Sequence, residues 1–414
     1  MQKKRVVITG IGVVAPNGIG VENFWDSSVH GRSGIKPVSQ FDVSLYPSKI
    51  AGEIRDFDPT DYIDSKSARR MDRFSQFGVA CSKMALMDSQ IPLEKIENDS
   101  IGVAIGSSFG GAPQAEEQHS IFLKKGLQRV HPLISTRFFT GSCMNNVCIA
   151  LGIKGPSYSI STGCATGADN IALAFNMIRD GKIDLMLTGA VEAPIFPLTF
   201  GSFCLIGILS TKNDPAHKTP KPFDQHRDGI VLSEGGAVLI VEERCHALNR
   251  GAKIYAEIMG FGTTHDAYHI TQPAPDGLQA EKAIRLALED ATIALEEIDH
   301  ICAHGCATVL NDKIETMIVK RIFNSKGESI LVSSLESMIG HPLGASGAIK
   351  IAASALAIKH GIVPPTINYE HPDPDCDLHY VPNESLKRDL NCVVCNSFSF
   401  GGKNSILILR KYLN

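Results

Sequence analysis

Short, almost wholly apolar runs alternate along this chain with longer stretches whose apolar positions recur every three or four residues. Arg5–Val13 (RVVITGIGV) and Ser100–Ser107 (SIGVAIGS) read as strands, as do Leu185–Ala190, Ala237–Glu242, Lys253–Met259, His300–Ala303 and Val393–Ser397. Continuous apolar, β-branched runs of this length suit strands covered on both faces. Helical spacing marks Arg70–Ser89, Ala168–Asp180, Gly277–Leu295 and Ala345–Lys359. The alternation predicts an α/β fold around an internal sheet. A charged, turn-rich stretch, Thr211–Gly229, lies halfway along, and a new strand is expected near Lys253. Two α/β halves, 1–250 and 251–414, are therefore expected, with no flexible linker between them.

Composition changes this picture only by exclusion. The 414 residues are 43% hydrophobic and 20% charged, enough for one large core or two fused medium ones. A formal net charge of −4 gives no basic surplus of the kind nucleic acid selects, although a local basic patch remains open to an acidic partner. No apolar stretch reaches the roughly 18 residues of a membrane span. The opening MQKKRVVITG lacks the apolar core of a signal peptide. Eleven scattered cysteines, an odd number, fit reduced thiols and a cytoplasmic protein better than a disulfide framework. The one C-x-x-C, Cys392 to Cys395, has no second pair to complete a zinc site.

Chemistry concentrates in four segments. Ser157–Gly167 (SYSISTGCATG) runs from a strand through small residues to Cys164 and then into a helix. Small neighbours allow the sharp turn that presents a nucleophile, and a helix N-terminus favours thiolate. His304 follows a buried strand in CAHGCAT. His341 lies in SMIGHPLGASG, before a helix opening on small residues. Cys395–Asn404 (CNSFSFGGKN) is a strand ending in a glycine turn whose N–H groups suit an oxyanion. Each residue also has a plain structural reading, a buried thiol or a satisfied core imidazole. His265, Asp266 and His269 have a spacing that would put two imidazoles on one helical face as metal ligands, but no H-E-x-x-H frame supports it.

Taken together, Cys164, His304, His341 and the NSFSFGG loop resemble the β-ketoacyl synthase family, over nearly the whole chain. The resemblance implies a thiolase-like fold of two similar halves in α-β-α-β-α layers, working as a dimer. It implies that Cys164 accepts an acyl chain from the phosphopantetheine arm of an acyl carrier protein. His304 and His341 would then assist decarboxylation of a malonyl unit, and the N–H groups of Cys164 and Phe400 would hold the oxyanion. Phe400 corresponds to the family's gate. No metal or tightly bound cofactor is implied, because decarboxylation supplies the carbanion. RMDRFSQFGVAC (70–81), HDAYHIT, NDKIET (311–316) and PDPDCDLHYVP further resemble the α ketosynthase subunit of type II polyketide synthases, which pairs with a cysteine-less chain-length factor. A homodimeric fatty-acid ketosynthase II is the alternative. A non-elongating partner subunit is a third reading, opposed by retention of the cysteine. Ser107–Ala112 and Phe196–Phe203 are expected to wall the acyl tunnel.

Four positions depart from the family pattern, two of them as a pair. Glu336 stands where a lysine is usual and Lys350 where a glutamate is usual, which predicts an ion pair of reversed polarity between them. A carboxylate beside either histidine would favour imidazolium. Cys306 replaces one of two hydroxyls that hold the pantetheine arm, leaving Thr308. Ser399 replaces a gate-loop glycine and is expected to stiffen it.

Overall fold

The computed structural model describes residues 3–92, 97, 99–323 and 330–413. Its main elements are β1 (Val6–Ala15), α1 (Arg73–Ser89), β2 (Ile101–Gly106), α2 (Ala112–Lys125), α3 (Ser142–Leu151), α4 (Thr166–Arg179), β3 (Leu185–Glu192), α5 (Pro197–Ile206) and β4 (Gly235–Glu243). There follow β5 (Ala256–His265), α6 (Leu278–Ala291), β6 (His300–Cys302), α7 (Val309–Phe323), β7 (Leu331–Ser333), α8 (Ser346–His360), β8 (Cys392–Ser399) and β9 (Lys403–Arg410).

The strands hydrogen-bond in the order β7-β6-β8-β9-β5-β1-β4-β3-β2, with the short Ser157–Tyr158 strand beyond β2. Within this path one arrangement occurs twice. Strand β2 runs parallel to β3, which pairs antiparallel with β4, which pairs antiparallel with β1. Strands β6, β8, β9 and β5 repeat that sequence of directions. The two copies meet where Val6–Ile8 of β1 pairs antiparallel with Ala256–Ile258 of β5.

Alternation along the strands separates the layers, because successive side chains leave a strand on opposite faces. On β4, Ala237, Leu239 and Val241 enter a central apolar cluster with α4 and α8, while Val238 and Ile240 join α1 and α3 outside. On β9, Leu407 and Leu409 face the same central cluster, whereas Ile406 and Ile408 pack with α6 and α7. The result is helix, sheet, helix, sheet, helix: the layered α/β architecture of two similar halves expected from the sequence. The close packing repeats as well. A Cβ at Gly12 would lie 1.9 Å from the Cys81 carbonyl oxygen of α1, and one at Gly262 would lie 2.1 Å from that of Ala283 in α6. Only glycine lets strand and helix approach this closely.

The expected strand at Lys253 begins three residues later, at Ala256, and helices α2, α3, α5 and α7 lie outside the predicted set. Cys392 and Cys395 of β8 sit in different apolar layers, on opposite faces of the strand, so they cannot chelate one ion. Among the described residues no helix is long and apolar enough to cross a membrane.

Candidate active site

Cys164 stands just before α4, whose N-cap is Ala165. The turn that presents it is fixed locally. Gly163 takes φ +58, which costs little without a side chain, and a Cβ there would lie 2.2 Å from Ser399 Oγ. Thr166 Oγ1 accepts from the N–H of Thr162 and bonds the Gly163 carbonyl, while Asn170 brackets both backbone groups of Ile160. The loop after β6 carries His304. Its N–H and that of Gly305 each donate to the buried Glu315 carboxylate, at 2.8 Å. His341 precedes α8 and donates its own N–H to the Val231 carbonyl at 2.7 Å.

These three elements converge. His341 Nε2 lies 3.1 Å from Cys164 Sγ, and the His304 and His341 ring centroids are 5.3 Å apart at 84°. All three side chains line one cavity of about 510 Å³, with Phe400 and Thr308 at its wall. Phe109 and Phe203, from the two segments expected to wall a tunnel, also border it. Cys306 Sγ and Thr308 Oγ1 are 3.5 Å apart on the same wall.

The predicted Glu336–Lys350 ion pair does not form. Glu336 Oε2 is 2.7 Å from His341 Nδ1, and its other oxygen accepts from Ser346 Oγ at 2.6 Å. Lys350 Nζ donates to the Asn396 carbonyl at 2.8 Å and lies 3.4 Å from His304 Nδ1. Each buried charge thus serves a different imidazole, which satisfies it without the other. Burial opposes charge on His341, but Glu336 and Cys164 outweigh it and push the imidazole up to about 10. Burial, then Lys350 and His341, drive His304 well below the ordinary imidazole range.

The gate loop departs from expectation too. The Cys164 N–H, expected to be open to an oxyanion, donates to Ser399 Oγ at 2.8 Å. This bond ties the loop after β8 to the turn that carries Cys164. Phe400 is 38% exposed beside it. The metal reading of His265, Asp266 and His269 loses its premise, since the segment is a strand end and loop rather than a helix. His265 and His269 ring nitrogens accept local backbone N–H groups, and Asp266 accepts from Asn404 and Ala274. Sequence reasoning missed Glu315, Ser346 and Asn396 as supports. Glu315 carries a signal, a charge on the same helical face as Asp312 among apolar positions of α7.

Residues 3–247 match the family described as β-ketoacyl synthase, N-terminal domain, and 255–370 match its C-terminal domain. The chain belongs to the β-ketoacyl synthase family. It is therefore an acyltransferase that forms carbon–carbon bonds. Similar proteins include 3-oxoacyl-[acyl-carrier-protein] synthase 2 of Synechocystis sp., 42% identical over 412 residues, covering 100% of this chain and 99% of that one. The synthase of the same name from Coxiella burnetii is 43% identical over 411 residues, 99% of each chain. Among solved structures, the β-ketoacyl synthase resembles AntDE:AntF, a type II PKS acyl-carrier protein in complex with its ketosynthase bound to the hexaketide. That match has a TM-score of 0.91 at 34% identity, covering 99% of this chain and 100% of the other.

Proposed function

We propose that this β-ketoacyl synthase condenses malonyl-carrier protein with an acyl chain held as a thioester on Cys164, in the manner of a fatty-acid 3-oxoacyl-carrier-protein synthase 2. The observation that carries the chemistry is Cys164 Sγ within 3.1 Å of an imidazole, with a second imidazole beside it, in one cavity. Cys164 receives the acyl group from a phosphopantetheine arm that enters past Thr308 and Cys306. His304 and His341 face the malonyl thioester, loss of CO2 generates its enolate, and the carbanion attacks the Cys164 thioester. The carrier protein is the partner on this reading, and a second copy of the chain completes a homodimer.

The 42–43% identity to proteins named 3-oxoacyl-[acyl-carrier-protein] synthase 2 favours the fatty-acid pathway, which the sequence reading held as its alternative, over the type II polyketide α-subunit reading it placed first. The polyketide reading, with a chain-length-factor partner, rests on the likeness at 34% identity to the AntDE:AntF ketosynthase and on the NDKIET and PDPDCDLHYVP segments. Intact-protein mass after incubation with acyl- and malonyl-loaded carrier protein tests both. A thioester adduct on wild type and none on Cys164→Ala is expected. Saturated acyl adducts support the fatty-acid pathway and unreduced poly-β-ketone adducts the polyketide one. No adduct, alone or with a chain-length-factor partner, overturns the condensing role.

A further inference from the structure

The exchange of charges at positions 336 and 350 leaves the two imidazoles with opposite hydrogen-bonding neighbours. A carboxylate only accepts, so Glu336 Oε2 at 2.7 Å requires a proton on His341 Nδ1. Nε2 is then the nitrogen that faces Cys164 Sγ, 3.1 Å away, and takes its proton. An ammonium only donates, so Lys350 Nζ at 3.4 Å requires His304 Nδ1 to accept, which puts that ring's proton on Nε2. The supporting shell holds both arrangements. Ser346 Oγ fixes the second oxygen of Glu336, and the Asn396 carbonyl fixes Lys350. Glu336, Lys350, His304 and His341 are all at most 5% exposed.

We propose that Glu336 is a positioning residue that makes His341 the proton acceptor for Cys164, while Lys350 holds His304 as the neutral Nε2–H donor to the malonyl thioester oxygen. This division of labour rests on the condensing reading above. In the first half-reaction the Cys164 proton resides on His341 Nε2 and the thiolate attacks the acyl thioester carbonyl. The carrier's sulfur leaves and takes that proton from His341. In the second, the malonyl C–C bond breaks to release CO2 and the enolate oxygen accepts from His304 Nε2–H. The carbanion then forms the new C–C bond as the Cys164 C–S bond breaks, and solvent returns one proton to the Cys164–His341 pair. Placing the acceptor role on one ring and the donor role on the other lets both stages proceed without a tautomer change.

Other ionisable groups approach the pair from each side. His304 meets His341 edge-on with Lys350 behind it, and Cys306 lines the same cavity. Glu192 of β3 accepts from Ser107 Oγ and the Phe109 N–H, next to Ser108, whose hydroxyl donates to Gly163. Of the carboxylates, Glu336 alone among the described residues is hydrogen-bonded to His341.

The test is the rate of iodoacetamide alkylation of the Cys164 peptide between pH 5 and 9, read by mass spectrometry after digestion, for wild type, Glu336→Gln and Lys350→Met. Wild type is expected to react at a nearly constant rate down to the acid end. In Glu336→Gln the half-maximal rate moves upward by at least about one pH unit, the size expected when a carboxylate partner is neutralised. Lys350→Met keeps the wild-type alkylation profile but slows malonyl decarboxylation at least tenfold. Glu336→Asp, which keeps the charge, returns the profile toward wild type and serves if Glu336→Gln folds poorly. Overlaid wild-type and Glu336→Gln profiles, or an equal displacement in Lys350→Met, overturn the proposal. Alkylation needs neither carrier protein nor malonyl donor. A displaced profile without any acyl adduct would keep the relay and remove the condensing role.

Discussion

Ser399 joins two loops through one hydroxyl, and the consequence is kinetic. Its Oγ takes the Cys164 N–H, so if that N–H is to hold an oxyanion, as the proposed condensation has it, the side chain must rotate away first. A hydrogen bond of this kind contributes about 1 kcal/mol net. Ser399→Gly, which restores the family's residue, is therefore expected to raise the rate of Cys164 acylation about fivefold, measured by rapid-quench mass spectrometry. An unchanged rate would mean that the hydroxyl is displaced at no cost. His341 supplies a second consequence at the same scale, in stability. Its imidazole is raised from an ordinary 6.5 to about 10 in the fold, so between those values the native state holds a proton that the unfolded chain has lost. The contribution is complete below about pH 6.5 and disappears as pH rises through about 10. His304 is shifted the other way, and its effect falls on the acid side of 6.5. Thermal melts from pH 7 to 10 should fall more steeply for wild type than for Glu336→Gln; parallel curves would contradict the assignment of that charge to Glu336.

The elements that carry the site were the most legible in the sequence, and their supports the least. The helices after Cys164 and His341 begin within two residues of the predicted starts, because both open on a run of small residues that follows closely on the candidate side chain. Helix α5 was not predicted: PLTFGSFCLI is apolar nearly all round, so no amphipathic stripe marks it. The Glu336–Lys350 pairing failed for a different reason. Reciprocal charges in sequence suggest a partner, but each found a buried imidazole nearer than the other, and sequence spacing carries no such distances. The small residues of α4 and α8 also set how far Cys164 sits from His341. A Cβ at Gly347 would fall 2.9 Å from the Ala168 N–H nitrogen and 3.0 Å from Ser397 Oγ. Gly347→Ala must push α4 and α8 apart, at about 1–3 kcal/mol by the usual cost of overpacking. The expected result is a lower melting temperature together with a loss of Cys164 acylation of at least tenfold. Full acylation at reduced stability would mean that the two helices separate without moving the nucleophile.

At the scale of the whole molecule, the twice-repeated strand arrangement places Cys164 and His341 before equivalent helices, α4 and α8, that share one central layer. The two-half reading from sequence is visible there, though no sequence repeat announces it, because the repeat lies in strand direction and packing rather than in residue identity. The sheet ends beyond β2 in a two-residue strand, Ser157–Tyr158, that is exposed. Phe138, Phe139, Ile149, Leu198 and Leu205 are exposed as well, between 41% and 91%. An open strand edge and exposed large apolar side chains are features that chains cover by association. The fatty-acid reading expects the cover to be a second copy, and the polyketide reading a cysteine-less sister. Light scattering on the chain expressed alone separates them. A particle of twice 44.6 kDa that accepts an acyl group on Cys164 fits the homodimeric synthase. Replacing Tyr158 with aspartate, which sets like charges on an edge meant to pair, should then shift it toward monomer. A monomer or an aggregate from the wild-type chain, made soluble and active only by co-expression with a chain-length factor, would move the assignment to the polyketide pathway.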